Sequence, residues 1–527
     1  MWGEFRQTLS GRGESYCDPQ TGVTILWEGI LFAANANGVG PYLAGLYERH
    51  GETFPRHVEG VFALALYDPR TETHMLARDM TGGVPLYYAV SHAGGIAFAT
   101  RIDELLPHTT GVSLNPRKLL DFLTFFWPLD EETFFEGIRL VPQGGGLVNG
   151  QMRRHDVFRH QPVEKSDEEW IAMILSALTE ATRRCLGEHV GCHLSGGIDS
   201  SVLTVLVAQL QGAPPPAFVA TFDEYAAYDE APYAQAVADA VGSELHRVRT
   251  RPEDLVRHIR ELVRTIEEPK CHPPVLPRYL LESVAARQGI RIMFSGRGAD
   301  ELFTGYDWHR RIYWEEHMAR RTVLDAEQRR RLLRDSFLST VDYSPEERYA
   351  EVFAECAGDS MLERLMMLDF RTLLAAWLVV DYKVSRRFGT TPALPFLDRA
   401  VMDLALSMPV NAKCRGDDPK HLFKRAVLGL VPRAVIERKK VGFRTPMGEL
   451  LRQGQETAVR AFFDHGHGAF WDVFDPAGVS WELDAHFSGA LNRGWQIWAL
   501  ACIKTWCELY LDADASSFLA EEEAGGE

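Results

Sequence analysis

The stretch Val190-Gly191-Cys192-His193-Leu194-Ser195-Gly196-Gly197-Ile198-Asp199-Ser200-Ser201 runs from a largely apolar segment through two glycines and into the helix-like run Val202 to Leu210. A strand that turns through glycines into a helix makes an anion cradle. Its backbone N–H groups approach a phosphate with no Cβ in the way, the serine hydroxyls add donors, and the helix N-terminus adds the positive end of its dipole. Two commoner nucleotide loops are excluded: no Gly-Lys-Ser/Thr follows, as a Walker loop requires, and no G-x-G-x-x-G with a downstream acid is present. The expected ligand is a pyrophosphate.

Around this loop, strand-like runs at Val190 to Leu194, Ala217 to Phe222 and Arg291 to Phe294 alternate with helical ones, the signature of a parallel sheet covered on both faces. From about residue 310 the pattern is mostly helical. Residues 23 to 148 read differently, as short apolar runs broken by turns. Val61 to Tyr67, the turn Asp68-Pro69-Arg70 and then His74 to Asp79 predict hairpins of an antiparallel layered domain. Ser166-Asp167-Glu168-Glu169 is a capping box ahead of Trp170, Ile171, Ile174, Leu175 and Leu178. The expected division is 1–160, 166–515 and a solvated acidic tail, 516–527.

The chain has 527 residues, more than one core usually holds, with 46% hydrophobic and 24% charged residues, as in ordinary globular proteins. A formal net charge of −17 argues against nucleic acid as a main partner. The longest apolar run, Leu373 to Val380, is far short of a membrane span, so a cytoplasmic protein is expected. The 8 cysteines are scattered without ligand spacing and read as reduced, buried thiols. Arg329-Arg330-Arg331 reads as a solvated helix face.

The loop resembles the pyrophosphate loop of the N-type ATP pyrophosphatases. The second strand end, Phe294-Ser295-Gly296-Arg297-Gly298-Ala299-Asp300-Glu301-Leu302-Phe303-Thr304-Gly305-Tyr306, looks like a segment of class B, glutamine-hydrolysing asparagine synthetases. Asp229 to Ala234, Leu394-Pro395-Phe396-Leu397-Asp398 and Arg438-Lys439-Lys440-Val441-Gly442-Phe443 follow in that family's order. Glu59 to Ala63, Leu76 to Asp79, Pro85 to Tyr88 and Phe98 to Thr100 resemble its glutaminase-fold domain. The resemblance implies an α+β N-terminal Ntn-glutaminase-like layered sandwich, then an α/β ATP-pyrophosphatase domain. It implies ATP and Mg²⁺ as cofactors, with an ATP site of Leu194, Ser195, Gly196, Gly197, Ile198, Asp199, Ser200, Ser201, Phe222, Ser295 and Gly296. Asp199 and Asp300 would bind Mg²⁺, and Lys440 would stabilise charge as pyrophosphate or AMP leaves.

Departures from the family narrow the function. Its glutaminase needs a cysteine as the mature N-terminal residue, and residue 2 here is Trp2. Cys17 is too close to the following strand to substitute, and Phe32 replaces the asparagine of the oxyanion site. Glutaminase activity is therefore expected to be lost, as in the resembling β-lactam synthetases. In the synthetase pocket, the third residue of the S-G-x-G segment is Arg297, where the family has a carboxylate or tyrosine. A guanidinium stays protonated and cannot be a base. Lys383 is the nearest match to the glutamate that partners that tyrosine, so Arg297 and Lys383 are expected to hold a substrate carboxylate or phosphate. A carboxylate opposite Arg297 would instead mean a neutralised structural pair.

The leading expectation is an AMP- and pyrophosphate-forming amide ligase that activates a small-molecule or peptide carboxylate for attack by an amine, in specialised-metabolite or antibiotic biosynthesis. A β-lactam or lasso-peptide macrolactam cyclase is one form of it. The alternatives are an ammonia-dependent asparagine synthetase, disfavoured by Arg297 and Ala393, and a non-catalytic ATP-binding scaffold. A homodimer is the one oligomer entertained.

Overall fold

The computed structural model describes residues 13–32, 38–92, 94–222, 225, 227–310, 314–438, 445–464 and 466–512. In the first domain β1 (Glu14–Cys17), β2 (Thr24–Leu31), β3 (Gly60–Asp68), β4 (Thr73–Arg78), β8 (Gly145–Val148) and β9 (Gln151–Arg154) form one antiparallel sheet in the order β1-β2-β3-β4-β8-β9. The strands β5 (Tyr87–Val90), β6 (Ile96–Ala99) and β7 (Ile138–Leu140) form a second, in the order β6-β5-β7. The expected hairpin is there, with Leu66 opposite Met75 and Asp68 opposite Thr73.

Strand alternation explains the layering. Phe62, Leu64 and Leu66 of β3 share a core with Leu43, Leu46 and Tyr47 of α1 (Val39–His50). Ala63 and Ala65, on the other face, pack with Phe98 of the second sheet and with Leu86 and Val141, which flank its strands. Beyond that sheet lies α2 (Pro116–Phe125), whose Leu119, Phe122 and Leu123 join the large shared core.

The second domain begins with α3 (Asp167–Arg184), where Ser166 and Glu169 form the predicted capping box. Its parallel sheet is ordered β12-β11-β10-β13-β14, from β10 (Val190–His193), β11 (Ala217–Thr221), β12 (Leu245–Arg249), β13 (Ile292–Phe294) and β14 (Thr391–Ala393). From β10 the chain winds outward through β11 and β12, then returns to the opposite side of β10 with β13. This reversal opens a crevice at the carboxyl ends of β10 and β13, where open sheets of this kind take ligands. The residues after about 310 are mainly helical, with a buried π-helical turn, Phe370–Leu374, inside the run Met361 to Phe388. Among the described residues, no helix is long and apolar enough to cross a membrane.

Of the Arg329–Arg331 run, only Arg330 has the solvated position that the charge pattern predicts. Arg329 is buried, and its Nη1 donates to Thr124 Oγ1 of α2 and to the Leu324 carbonyl, each at 2.8 Å. Arg331 stacks on Trp481, with its guanidinium 3.4 Å from the ring centroid. Six cysteines are buried, but Cys17 is exposed at the end of β1 and Cys414 is half-buried. The acidic tail lies outside the described residues.

The domains meet through polar contacts as well as the shared core. Glu28 of β2 is buried, accepts from Thr100 Oγ1 at 2.8 Å, and also binds the Tyr382 hydroxyl and the Arg386 guanidinium of the second domain. Arg386→Ala would leave Glu28 buried without its cation. We expect it to lower unfolding stability by about 3 kcal/mol, read as a shifted denaturant midpoint; an unchanged midpoint would mean that this pair does not hold the domains.

Candidate ATP site

The crevice between β10 and β13 collects the residues that the sequence singles out. Leu194 and Phe222 are buried at the carboxyl ends of the neighbouring strands β10 and β11, and Ser295 follows β13, its N–H donating to the Ala393 carbonyl at 3.0 Å. Ser195 leads into α4 (Ile198–Gln211), whose N-cap is Gly197 and has no side-chain cap. Ser200 and Ser201 donate their hydroxyls to the Gly197 carbonyl at 3.1 and 2.7 Å, and Ser195 and Ser200 Oγ lie 3.2 Å apart. An uncapped helix N-terminus with clustered hydroxyls suits a polyanion.

Two glycines set the spacing. Gly196 has φ +72°, and a Cβ there would sit 2.7 Å from both Ala234 N and Tyr233 Cβ, at the start of α5 (Ala231–Val241). At Gly296 a Cβ would lie 2.8 Å from Asp199 Cβ and 3.1 Å from Ser200 N. The two loops therefore touch backbone to backbone, which only glycine permits.

That contact brings two carboxylates together. Asp199 lies in the first turn of α4 and Asp300 in the short helix Ala299–Phe303. Lys420 bridges them, with Nζ 2.5 Å from Asp199 Oδ1 and 2.6 Å from Asp300 Oδ1, and is buried. Burial works to lower the Lys420 pKa, but the two carboxylates overcome it and raise the ammonium above its ordinary value. The sequence reading missed Lys420. It sits between Pro419 and the helix His421–Ala426 at a left-handed φ of 54°, and no motif marks it. Gly305 makes room for the arrangement, since a Cβ there would lie 1.8 Å from Asp300 Oδ1 and 2.5 Å from Lys420 Cε. Two oxygen donors already converging on one cation fit a Mg²⁺ that is held by few protein carboxylates and completed by phosphate oxygens. Among the described residues there is no cluster of three or more His, Cys, Asp or Glu able to hold a metal. Lys440 lies outside the described residues.

Arg297 and Lys383 do not converge on a common anion, contrary to the sequence expectation. Arg297 forms a two-point pair with Asp381, Nε to Oδ2 at 2.9 Å and Nη2 to Oδ1 at 3.3 Å, and lies 4.7 Å over the Trp377 ring. Burial acts to raise the Asp381 carboxyl, but the Arg297 and Arg278 charges outweigh it and hold it below its ordinary value. This is the neutralised pair that a facing carboxylate was to signal. Lys383 is buried elsewhere, donating to Glu267 Oε2 at 2.6 Å and to the Ile266 carbonyl at 2.8 Å. Its physical task is clear from Glu267, whose other oxygen accepts the Asp103 N–H of the first domain at 2.9 Å. Burial pushes the Glu267 carboxyl up to about 7 even with Lys383 beside it.

Fold and site together define a nucleotide-dependent ligase built on a parallel sheet and fused to an antiparallel amidotransferase-like domain. The chain belongs to the asparagine synthase family, whose profile matches residues 173–508, and residues 41–158 match the glutamine amidotransferase domain family. It is thereby an ATP-dependent carbon–nitrogen ligase. A Mycobacterium tuberculosis protein with the provisional name of a glutamine-hydrolysing asparagine synthetase is 26% identical over 92% of this chain and 81% of its own length. Asparagine synthetase [glutamine-hydrolyzing] 1 of Bacillus subtilis is 22% identical over 89% of this chain and 80% of its own. Amidase chyE of Penicillium rubens is 30% identical over 50% of this chain and 42% of its own.

Arg297→Glu would set a second carboxylate beside Asp381, whose side chain is 1% exposed. We expect a loss of about 3–5 kcal/mol in stability, measured by thermal unfolding; an unchanged transition would mean that the pair is not buried in solution.

Proposed function

We propose that the chain is a glutamine-independent ligase that forms AMP and pyrophosphate while joining a carboxylate to an amine. The observation that carries this reading is the convergence of Asp199 and Asp300 on one cation, beside the uncapped N-terminus of α4. A substrate carboxylate oxygen attacks the α-phosphorus of ATP and pyrophosphate departs. An amine then attacks the acyl carbon, AMP departs and the amine gives up a proton. The Ser195–Ser201 loop holds the phosphates in line, and Leu194, Phe222 and Gly296 line the adenosine. Asp199 and Asp300 would hold Mg²⁺, which when bound neutralises phosphate oxygens. Lys440 stabilises the leaving group's charge.

Glutamine independence is supported by what has become of β2. Phe32, at the oxyanion asparagine's position, packs against the second-domain cluster of Cys185, Val190, Cys192 and Phe294, and Glu28 is committed to Thr100, Tyr382 and Arg386. Glu28 of this strand and Phe32 just after it serve the domain interface. The relatives named as glutamine-hydrolysing supply the competing reading, asparagine synthesis. Arg297 weighs against that reading because, paired to Asp381, it cannot serve as a base. The acceptor pocket accordingly belongs to a different acid and amine, in the cytoplasmic assembly of a specialised metabolite such as an antibiotic.

Pyrophosphate release, assayed with a panel of acids and amines, should depend on a non-glutamine amine, with no glutamate formed from glutamine; thiol-sensitive glutamate release would overturn the reading. Asp199→Ala and Asp300→Ala should each abolish this release while the fold survives. Near wild-type release by either would remove the site from consideration. Lys440→Ala should lower turnover with ATP affinity roughly unchanged, whereas a raised KM for ATP at unchanged turnover would make Lys440 a binding residue only.

A further inference from the structure

A second buried cation stands at the N-terminus of α4, apart from Lys420. The Arg438 guanidinium donates through Nη2 to Glu230 Oε1, and the two side chains are 8% and 9% exposed. Its central carbon lies 4.6 Å over the Tyr233 ring. Nη2 is 4.0 Å from where a Cβ of Gly197 would be, so the guanidinium lies against the residue that caps α4. Nη1 is buried and, among the described residues, has no hydrogen-bond partner.

These contacts form one built unit. Gly196 lacks a Cβ, so the first turn of α5 packs directly on the loop; a Cβ at Gly196 would lie 3.0 Å from the Glu230 carbonyl. That packing brings Glu230 and Tyr233 to the loop, and they fix Arg438 over it. Glu230 offsets the guanidinium charge once, while the helix dipole and the loop N–H groups add further positive potential. A neutral ligand would leave both that potential and the Nη1 donor uncompensated. A multiply charged anion satisfies both, and a guanidinium presents its two edges to two oxygen partners at once.

We propose that Arg438 is a phosphate-binding residue of this site: Nη1 takes an oxygen of the pyrophosphate moiety of ATP, and Glu230 and Tyr233 position the guanidinium to do so. The proposal rests on reading the Ser195–Ser201 loop as the pyrophosphate loop. It adds a contact supplied from outside that loop, by the chain just after the helix Arg433–Glu437.

The test is calorimetric binding of inorganic pyrophosphate and, separately, of AMP, each with Mg²⁺, to the full chain without any acceptor substrate. Arg438→Gln should weaken pyrophosphate binding roughly tenfold or more, as loss of a charge-assisted contact does, and leave AMP binding unchanged. Arg438→Lys should fall between, because a lysine keeps the charge but cannot span Glu230 and a phosphate together. Equal pyrophosphate affinity in wild type and Arg438→Gln overturns the proposal, and so does a parallel loss of AMP and pyrophosphate affinity with a lowered unfolding temperature. Should Arg438→Gln fail to fold, Arg438→Lys decides, since undiminished pyrophosphate affinity there also overturns it. If the wild-type chain binds neither probe, the reading of the loop itself falls, an outcome separate from the failure of Arg438 alone.

Discussion

Two ionised carboxylates a few ångströms apart inside a protein need a cation between them. Asp199 and Asp300 each have an oxygen within 2.6 Å of the Lys420 ammonium, which puts those oxygens no more than about 5 Å apart. At an effective dielectric of about 20, two unit charges at that distance repel by roughly 3 kcal/mol. The geometry of the crevice follows from answering that repulsion. Gly296 lets the β13 loop reach Asp199, Gly305 clears the space for Asp300 and Lys420, and Lys420 takes a left-handed backbone to deliver its side chain. The ammonium holds the pair in register, and a dication with phosphate oxygens would meet the same need with more charge.

The same electrostatic logic joins the domains. Glu267 and Glu268 project from the second domain to accept the N–H groups of Asp103 and Phe134 in the first, at 2.9 and 3.1 Å. Lys383 balances Glu267, and Lys270 lies 2.5 Å from Glu268. Glu28 reverses the direction, reaching from the first domain to Arg386. A slipped interface would strand each buried ion without its partner, at a cost of several kcal/mol.

Much of this was legible in the sequence because glycine and capping residues leave local marks. The turn at Ser195-Gly196-Gly197, the capping box at Ser166 and the hairpin at Asp68 each depend on a few neighbouring residues, and each appears where its pattern places it. Two strands of the parallel sheet escaped the reading for physical reasons. The strand β12 is a half-buried edge, Leu-His-Arg-Val-Arg, with charged outward positions, and β14 is a three-residue edge containing Pro392. Side-chain partnerships were the least legible. Nothing near Arg297 in sequence announces Asp381, 84 residues on, and nothing near Asp199 announces Lys420. Pairings of that range are set by the tertiary fold, and a charged residue read alone looks unclaimed.

The left-handed backbone at Lys420 sets local strain against electrostatics. A non-glycine residue at φ 54° carries strain of order 1 kcal/mol. Glycine at this position would relieve the strain and remove the ammonium in the same step. The strain is the smaller of the two effects, because without the ammonium Asp199 and Asp300 would face each other uncompensated. The turn stays taut because the charge it delivers outweighs the strain it carries.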